Sequence, residues 1–328
     1  MADYQGMPYL HMGASGLQTP RIGLGTWKFG YPDQGDGSRS DEAESLAILD
    51  RAAEIGVMFW DTANRYNNGT GNSERILGTW FERHPQRRRD VVLATKTHGQ
   101  MDGDTPNHGG LSRLQIIESV RASMERMKVE WVDLLWFHRP DPETPIEESL
   151  ETVEDLVSQG AVHYLGLSNF TREQVEETLN AASKISRRVR PIALQNQYDV
   201  LDGERQEGLL DLCADQGLSF MPWSPLARGL LTDRYLDPAK ISAGDRLHDE
   251  GSEIPESHLA KVRKLGELGQ QWGYSISALT LAYMLAMPGM GTQIPSSSHV
   301  AQLEANAEAG KIELTEDQVS DIADVLAG

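Results

Sequence analysis

Four side chains able to move a proton stand at the ends of short apolar runs. Asp61 closes residues 57–61 and is followed five positions later by Tyr66, Lys96 closes 91–96, and His138 closes 132–138. A carboxylate, a phenol, an ammonium and an imidazole converging on one mouth would make a proton-donor constellation. A phenol titrates near 10, so it donates usefully at neutral pH only if made more acidic, each unit being worth ~1.36 kcal/mol. A neighbouring ammonium, Lys96, is expected to favour phenolate and lower that value, while Asp61 keeps the ammonium charged and oriented. His138 can orient a substrate oxygen or share the proton. With eight Lys against 22 Arg in the chain, a lysine inside the run Val91-Val92-Leu93-Ala94-Thr95-Lys96 reads as functional.

Short β-branched or aromatic runs alternate with amphipathic segments along most of the chain. Strands are expected at 22–27, 57–61, 91–96, 132–138, 161–168, 192–197, 218–224 and 291–295. Helix punctuation lies between them. Thr144-Pro145-Ile146-Glu147 offers an N-cap, a proline at the first helical position and a capping-box glutamate, with Gly160 as the stop. Thr171 to Gln174 repeats the capping pattern. Leu209, Leu210 and Cys213 form an apolar stripe ending at Gly217, and Leu114, Ile117, Val120, Met124 and Met127 form another; core packing explains both. Eight strands alternating with helices predict an α/β fold, a (β/α)8 TIM barrel in one domain over 1–328. Residues 9–12 and 17–19 flank Gly13-Ala14-Ser15-Gly16 and predict an N-terminal β-hairpin closing the barrel floor. Two connections, 97–111 and 225–257, are long enough to be functional.

The charge balance narrows the function classes. Asp and Glu number 49 against 30 Lys and Arg, a formal charge of −19, which argues against nucleic acid or an anionic membrane as partner. An acidic, lysine-poor surface points to a salt-rich cytoplasm and a halophilic source, with a merely acidic mesophilic protein as the alternative. The lone Cys213 excludes an internal disulfide and a Cys-rich zinc site. No basic region followed by an apolar run opens the chain, and the longest apolar stretch, 278–287, is too short to span a bilayer, so a cytoplasmic protein is expected. The runs Arg87-Arg88-Arg89 and Arg187-Arg188-Val189-Arg190 precede strands and read as solvated charge on the face opposite the mouth.

In such a barrel the active site lies at the carboxyl ends of the strands. Those ends read Trp27, Asp61, Lys96, His138, Ser168-Asn169, Gln195, Trp223-Ser224 and Pro295-Ser296, polar or aromatic almost throughout. Together with Gly25-Thr26-Trp27, Asp61-Thr62-Ala63, Gly110-Leu111-Ser112-Arg113, His138-Arg139-Pro140-Asp141-Pro142, Gly166-Leu167-Ser168-Asn169-Phe170, Trp223-Ser224-Pro225-Leu226 and Gln302-Leu303 with Asn306, they carry a resemblance. The sequence resembles the aldo-keto reductases over nearly its whole length, in the branch similar to voltage-gated potassium-channel beta subunits.

That resemblance implies a barrel that reduces an aldehyde or ketone with a nicotinamide cofactor. Tyr66 would be the general acid, Lys96 and Asp61 its tuning pair, and His138 the orienting residue. Ser168, Asn169 and Gln195 match the carboxamide-holding positions, where amide and hydroxyl groups complement an amide's donors and acceptor. Trp223 matches the aromatic that stacks on the nicotinamide. Thr26, Trp27, Ser224, Pro225, Leu226, Ala227, Arg228, Arg234, Arg246, Ser296, Ser298, Gln302 and Asn306 complete the implied cofactor set. Arg234 and Arg246 favour NADP(H); NAD(H) stays the alternative, because Gln302 stands where many relatives have a basic residue. His98, Met101 and His108 of the 97–111 connection, with Trp27, would frame the pocket for a small-molecule carbonyl substrate. Three other readings stay open beside this one: a cofactor-sensing binding protein, an alcohol or sugar dehydrogenase running in the oxidative direction, and a metal-dependent hydrolase using His98, His108, His138 and Asp61. The last lacks two closely spaced ligands on one strand. Gly69-Thr70-Gly71 lacks an entering strand and a correctly placed third glycine, so it is no Rossmann turn.

Overall fold

The computed structural model describes residues 2–101, 103–242 and 245–328. Three strands at the start of the chain, β1 (Asp3–Tyr4), β2 (Met7–His11) and β3 (Gln18–Pro20), form an antiparallel sheet. Seven more form one parallel sheet: β4 (Leu24–Gly25), β5 (Phe59–Asp61), β6 (Val92–Thr97), β7 (Val132–Phe137), β8 (Val162–Ser168), β9 (Ala193–Gln195) and β10 (Ser219–Phe220). Its spatial order follows the chain, β10-β9-β8-β7-β6-β5-β4, as successive right-handed βα units require.

The eighth position is filled by extended chain rather than a regular strand. The Phe220 amide donates to the Gly289 carbonyl at 2.8 Å and the Gly291 amide to Phe220 at 2.8 Å. On the other edge the Gly23 amide donates to Gln293 at 2.8 Å and the Gly25 amide to Pro295 at 3.1 Å. Both open edges are thereby paired, and the fold is a (β/α)8 barrel. The expected strand at 291–295 is present only as bridges, because Pro295 has no amide to give.

Around the sheet run α1 (Glu42–Glu54), the short turn α2 (Tyr66–Gly69), α3 (Asn72–Arg83), α4 (Arg113–Met127), α5 (Ile146–Ser158), α6 (Arg172–Ile185), α7 (Glu207–Gln216), α8 (Arg246–Asp249), α9 (Glu256–Trp272), α10 (Ile276–Leu285), α11 (Val300–Ala309) and α12 (Glu316–Ala327). Among the described residues no helix is long and apolar enough to cross a membrane.

Strand alternation sorts the core into two parts. Phe59, Ala94, Leu134, Trp136, Ala193, Met221 and Ile294 fill the barrel interior. Trp60, Leu93, Leu135, Phe137 and Leu165 point outward to the helices. The hairpin closes the floor as expected: Met12 is fully buried among the interior residues. The Gly13 amide donates to Ser219 Oγ at 2.7 Å and the Ala14 amide to Gly217 at 2.8 Å. A side chain at Gly13 would collide with the Gly217 and Ile192 carbonyls, so only glycine lets the plug seat.

Local readings fared unevenly. Thr171 and Gln174 form the capping box of α6, and Gly160 and Gly217 adopt the left-handed turn after α5 and α7. Thr144 does not cap α5. Its hydroxyl donates to Asp141 Oδ2 at 2.8 Å, and Pro145 occupies the cap position, so the helix starts one residue later than expected. In α4 the buried face is Gln115, Ile116, Ser119, Val120, Ser123 and Met127, whereas Leu114 is 54% exposed. The helix is rotated about one position from the apolar stripe, which places small polar groups over the site-bearing strands. Arg88 is not solvated charge: it is buried, donates to the Val91 and Trp131 carbonyls and to Asp133 Oδ2, and lies over the Trp131 ring. Its guanidinium ties the starts of β6 and β7 together.

Removing most of the plug should leave a void under the barrel. Met12→Ala is expected to cost about 2–5 kcal/mol, read as a lower urea midpoint with an unchanged denaturant slope.

Candidate active site

The carboxyl ends of β5, β6 and β9 meet in one buried group. Lys96 Nζ forms an ion pair with Asp61 Oδ2, the two side chains being 1% and 2% exposed. The same ammonium donates to the Thr62 carbonyl at 2.9 Å and to the Tyr66 hydroxyl at 2.8 Å. Asp61 Oδ1 accepts from Gln195 Nε2 at 3.0 Å, and Tyr66 lies 3.4 Å from Asp61 Oδ2. The Tyr66 ring meets the His138 ring edge-on at 6.2 Å between centroids. All four residues expected to move a proton are thus adjacent.

A layer of hydroxyls fixes the Asp61 backbone. Thr26 donates its amide to the Asp61 carbonyl at 2.9 Å, and its hydroxyl contacts the same oxygen at 3.1 Å. Ser73, at the start of α3, links the Thr26 hydroxyl at 2.8 Å to the Thr62 hydroxyl at 3.0 Å. Sequence reasoning missed Ser73. Its only signal was a polar residue opening a helix close to the Asp61 loop.

Electrostatics set the protonation states. Burial pushes the Tyr66 phenol well above its ordinary 10, and the Asp61 carboxylate adds to the rise. This reverses the expectation that Lys96 lowers it: the ammonium is already neutralised by Asp61, so loss of solvent dominates. Burial likewise lowers the Lys96 pKa, with Asp61 opposing. His138 is driven down to about 3 by burial and then by Lys96, Arg139, His98 and Arg65, so its imidazole is neutral at physiological pH.

A second chain of contacts runs from β8 to the turn after β10. Asn169, held in a left-handed conformation at φ 61°, donates to the His138 carbonyl at 2.9 Å and to Ser168 Oγ at 3.0 Å. Its carbonyl oxygen accepts from the half-buried Trp223 ring nitrogen at 3.0 Å. Ser224 and Ala227, at φ 62° and 47°, turn the chain away through Pro225 and Leu226. Ser168, Asn169, Gln195 and Trp223 therefore stand beside the proton-moving group.

The expected phosphate arginines are present but paired. Arg228 Nη1 and Arg246 Nε share Glu250, each at 2.8 Å, and Arg234 pairs with Asp245. Arg246 also covers the Trp27 ring at 4.7 Å, and Arg39 reaches Asp249 at 3.2 Å. Among them sits Lys28, which sequence reasoning passed over although it directly follows Gly25-Thr26-Trp27. Burial, then Arg39, Arg246 and Arg234, pull its ammonium down to about 8. A half-buried lysine among three arginines suits a polyanion. Ser296 lies against Gly25. Ser298 and Gln302 bond each other at 2.9 Å, and Asn306 reaches Ser297 at 3.3 Å, a separate cluster opening α11. Of the residues expected to frame the pocket, Trp27 lies beneath Arg246, while His98, Met101 and His108 lie in the connection after β6.

The family sequence model for aldo/keto reductases matches residues 21–327. The chain belongs to the aldo/keto reductase family. It is 32% identical to an uncharacterized oxidoreductase of Bacillus subtilis, over 98% of this chain and 97% of that one. It is 31% identical to a probable voltage-gated potassium channel subunit beta of Oryza sativa, over 92% and 91%. It is 29% identical to the L-glyceraldehyde 3-phosphate reductase of Escherichia coli, over 93% and 88%. Membership in this family makes the protein an oxidoreductase in class, with a reductase-like site.

The depressed His138 value has a consequence for stability. The unfolded chain takes up a proton on this imidazole near 6.5 while the folded chain resists until about 3. Stability contributed by the neutral form is therefore lost as pH falls from 6.5 toward 3. His138→Gln should flatten that loss, seen as a shallower fall of thermal midpoint with pH.

Proposed function

We propose that the protein is an NADPH-dependent carbonyl reductase in which Tyr66 gives the proton to the substrate oxygen. One observation carries the reading: Lys96, itself buried, touches Asp61, the Thr62 carbonyl and the Tyr66 hydroxyl at once. When bound, the nicotinamide supplies a hydride. The chain supplies the rest. His138, neutral, can donate an N–H to the carbonyl oxygen and hold it beside the phenol. The raised Tyr66 pKa keeps the acid loaded at rest. As the proton leaves, the phenolate forms 2.8 Å from Lys96, whose charge Asp61 maintains, in a site where burial strengthens the attraction.

Ser168, Asn169 and Gln195 would hold the carboxamide, and Trp223 the ring face. Lys28, with Arg228, Arg234 and Arg246, would hold the phosphates, the arginines shifting from Glu250 and Asp245 toward the ligand. Ser298, Gln302 and Asn306 would meet the adenosine end. The same reading takes 1–328 as one cytoplasmic catalytic domain acting on a small-molecule carbonyl, without nucleic acid or membrane as partner. The Escherichia coli relative is named for reducing a phosphorylated aldehyde, which supports a carbonyl as substrate.

Two measurements test this. Tyr66→Phe should lower kcat for a reactive aldehyde by about 10²–10⁴-fold while NADPH still quenches tryptophan fluorescence at a similar Kd. Unchanged turnover would remove Tyr66 from the role, and NADPH binding without reduction of any carbonyl by the wild type would favour a cofactor sensor. Lys28→Met should weaken NADPH more than NADH. In the wild type NADPH affinity should decline as pH rises through about 8, where the Lys28 ammonium is lost.

A further inference from the structure

Resting on that carbonyl-reductase reading, we infer that the substrate carries its own negative charge, a phosphate or carboxylate held by Arg65 and Arg139. These arginines flank the chemistry in sequence: Arg65 precedes Tyr66, and Arg139 follows His138. They sit on the loops leaving β5 and β7, with the β6 loop between them. Arg65 lies along that middle loop, its side chain packed against Gly99. His98, on the same loop, has its pKa lowered by burial and then by the Arg139 charge, which places that guanidinium close to it. Three adjacent strand ends thus present Arg65, His98 and Arg139 around one side of the mouth. The expected cofactor residues, Ser168, Asn169, Gln195, Trp223 and Lys28, come from other strands.

The two arginines have no ion-pair or hydrogen-bond partner among the described residues, in a chain with 49 carboxylates. Some arginines elsewhere take a carboxylate, as Arg51, Arg121, Arg172 and Arg263 do. Arg75, Arg83, Arg89 and Arg187 are exposed without one but lie away from the carboxyl ends of the strands, so it is their place at the mouth that sets Arg65 and Arg139 apart. Two acids at the neighbouring strand ends are committed. Asp61 is sealed beneath Lys96. Asp141 accepts from the Leu111 amide at 2.7 Å, the Thr144 hydroxyl at 2.8 Å and the Glu143 amide at 3.0 Å. The backbone at His98 is strained as well, at φ 126°, and is pinned by the Gly110 amide donating to its carbonyl at 2.9 Å. Strain of that kind is kept where a side chain must be aimed. An anionic group between the guanidiniums would gain charge-assisted, bidentate hydrogen bonds while its carbonyl faces Tyr66 and His138.

The experiment compares kcat/KM for glyceraldehyde 3-phosphate, succinic semialdehyde and the neutral aldehydes glyceraldehyde and butyraldehyde, in wild type, Arg65→Met and Arg139→Met. Wild type should favour one anionic aldehyde over its neutral counterpart at least tenfold, through KM, and the favoured one tells phosphate from carboxylate. Each variant should cut that ratio at least tenfold, with an unchanged thermal midpoint showing that the fold is intact. A wild type without preference, or variants that keep the ratio, would overturn the inference. If neutral aldehydes are still reduced in a Tyr66-dependent way, the carbonyl-reductase reading survives. If no aldehyde is reduced at all, both fall together.

Discussion

The arrangement at the barrel mouth depends on burying the Asp61–Lys96 ion pair. Taking two charges out of water costs several kcal/mol per ion, and their attraction offsets this only when the remaining protons and lone pairs are satisfied. Lys96 has three protons, and Asp61, the Thr62 carbonyl and the Tyr66 hydroxyl take all of them. Asp61 in turn accepts from Gln195 across the barrel. Satisfying the pair therefore fixes where the phenol stands. The hydroxyl layer of Thr26, Thr62 and Ser73 extends the same demand into α3, since the Asp61 and Thr62 peptides cannot shift without breaking it.

Neutralising Lys96 within the pair also explains the resting state of the site. A free ammonium beside a phenol would draw out its proton; a paired one leaves burial in control. Tyr66 and His138 then both stay uncharged, one loaded with a proton and the other able to donate an N–H. The net charge of −19 sharpens the picture. In an acidic protein, cations left without a carboxylate at the barrel mouth mark places prepared for a foreign anion. Lys28 marks one such place, and Arg65 with Arg139 marks another.

Much of the architecture was legible because it is written in local periodicity. The eight runs, the hairpin and the α6 capping box need only nearby residues to form, and the strand ends followed from counting along each run. The failures share one cause. The buried face of α4 was set by what the strands beneath it accept, not by where its leucines and methionines fall. Arg88 was read as solvated because its partners, the Trp131 carbonyl and Asp133, come from the next βα unit. Thr144 was read as a cap, but Asp141 claimed its hydroxyl.

Sequence alone determined which chemical groups reach the mouth: alternation along a strand and the chain order of a barrel place Asp61, Lys96, His138 and Gln195 at carboxyl ends whatever surrounds them. Tertiary structure alone decided the state of those groups. The sign of the Tyr66 shift, the pairing of Arg228, Arg234 and Arg246, and the isolation of Lys28, Arg65 and Arg139 are sums over neighbours distant in the chain. Solvent removal and charge pairing are properties of the folded surroundings, and no single run of residues contains them.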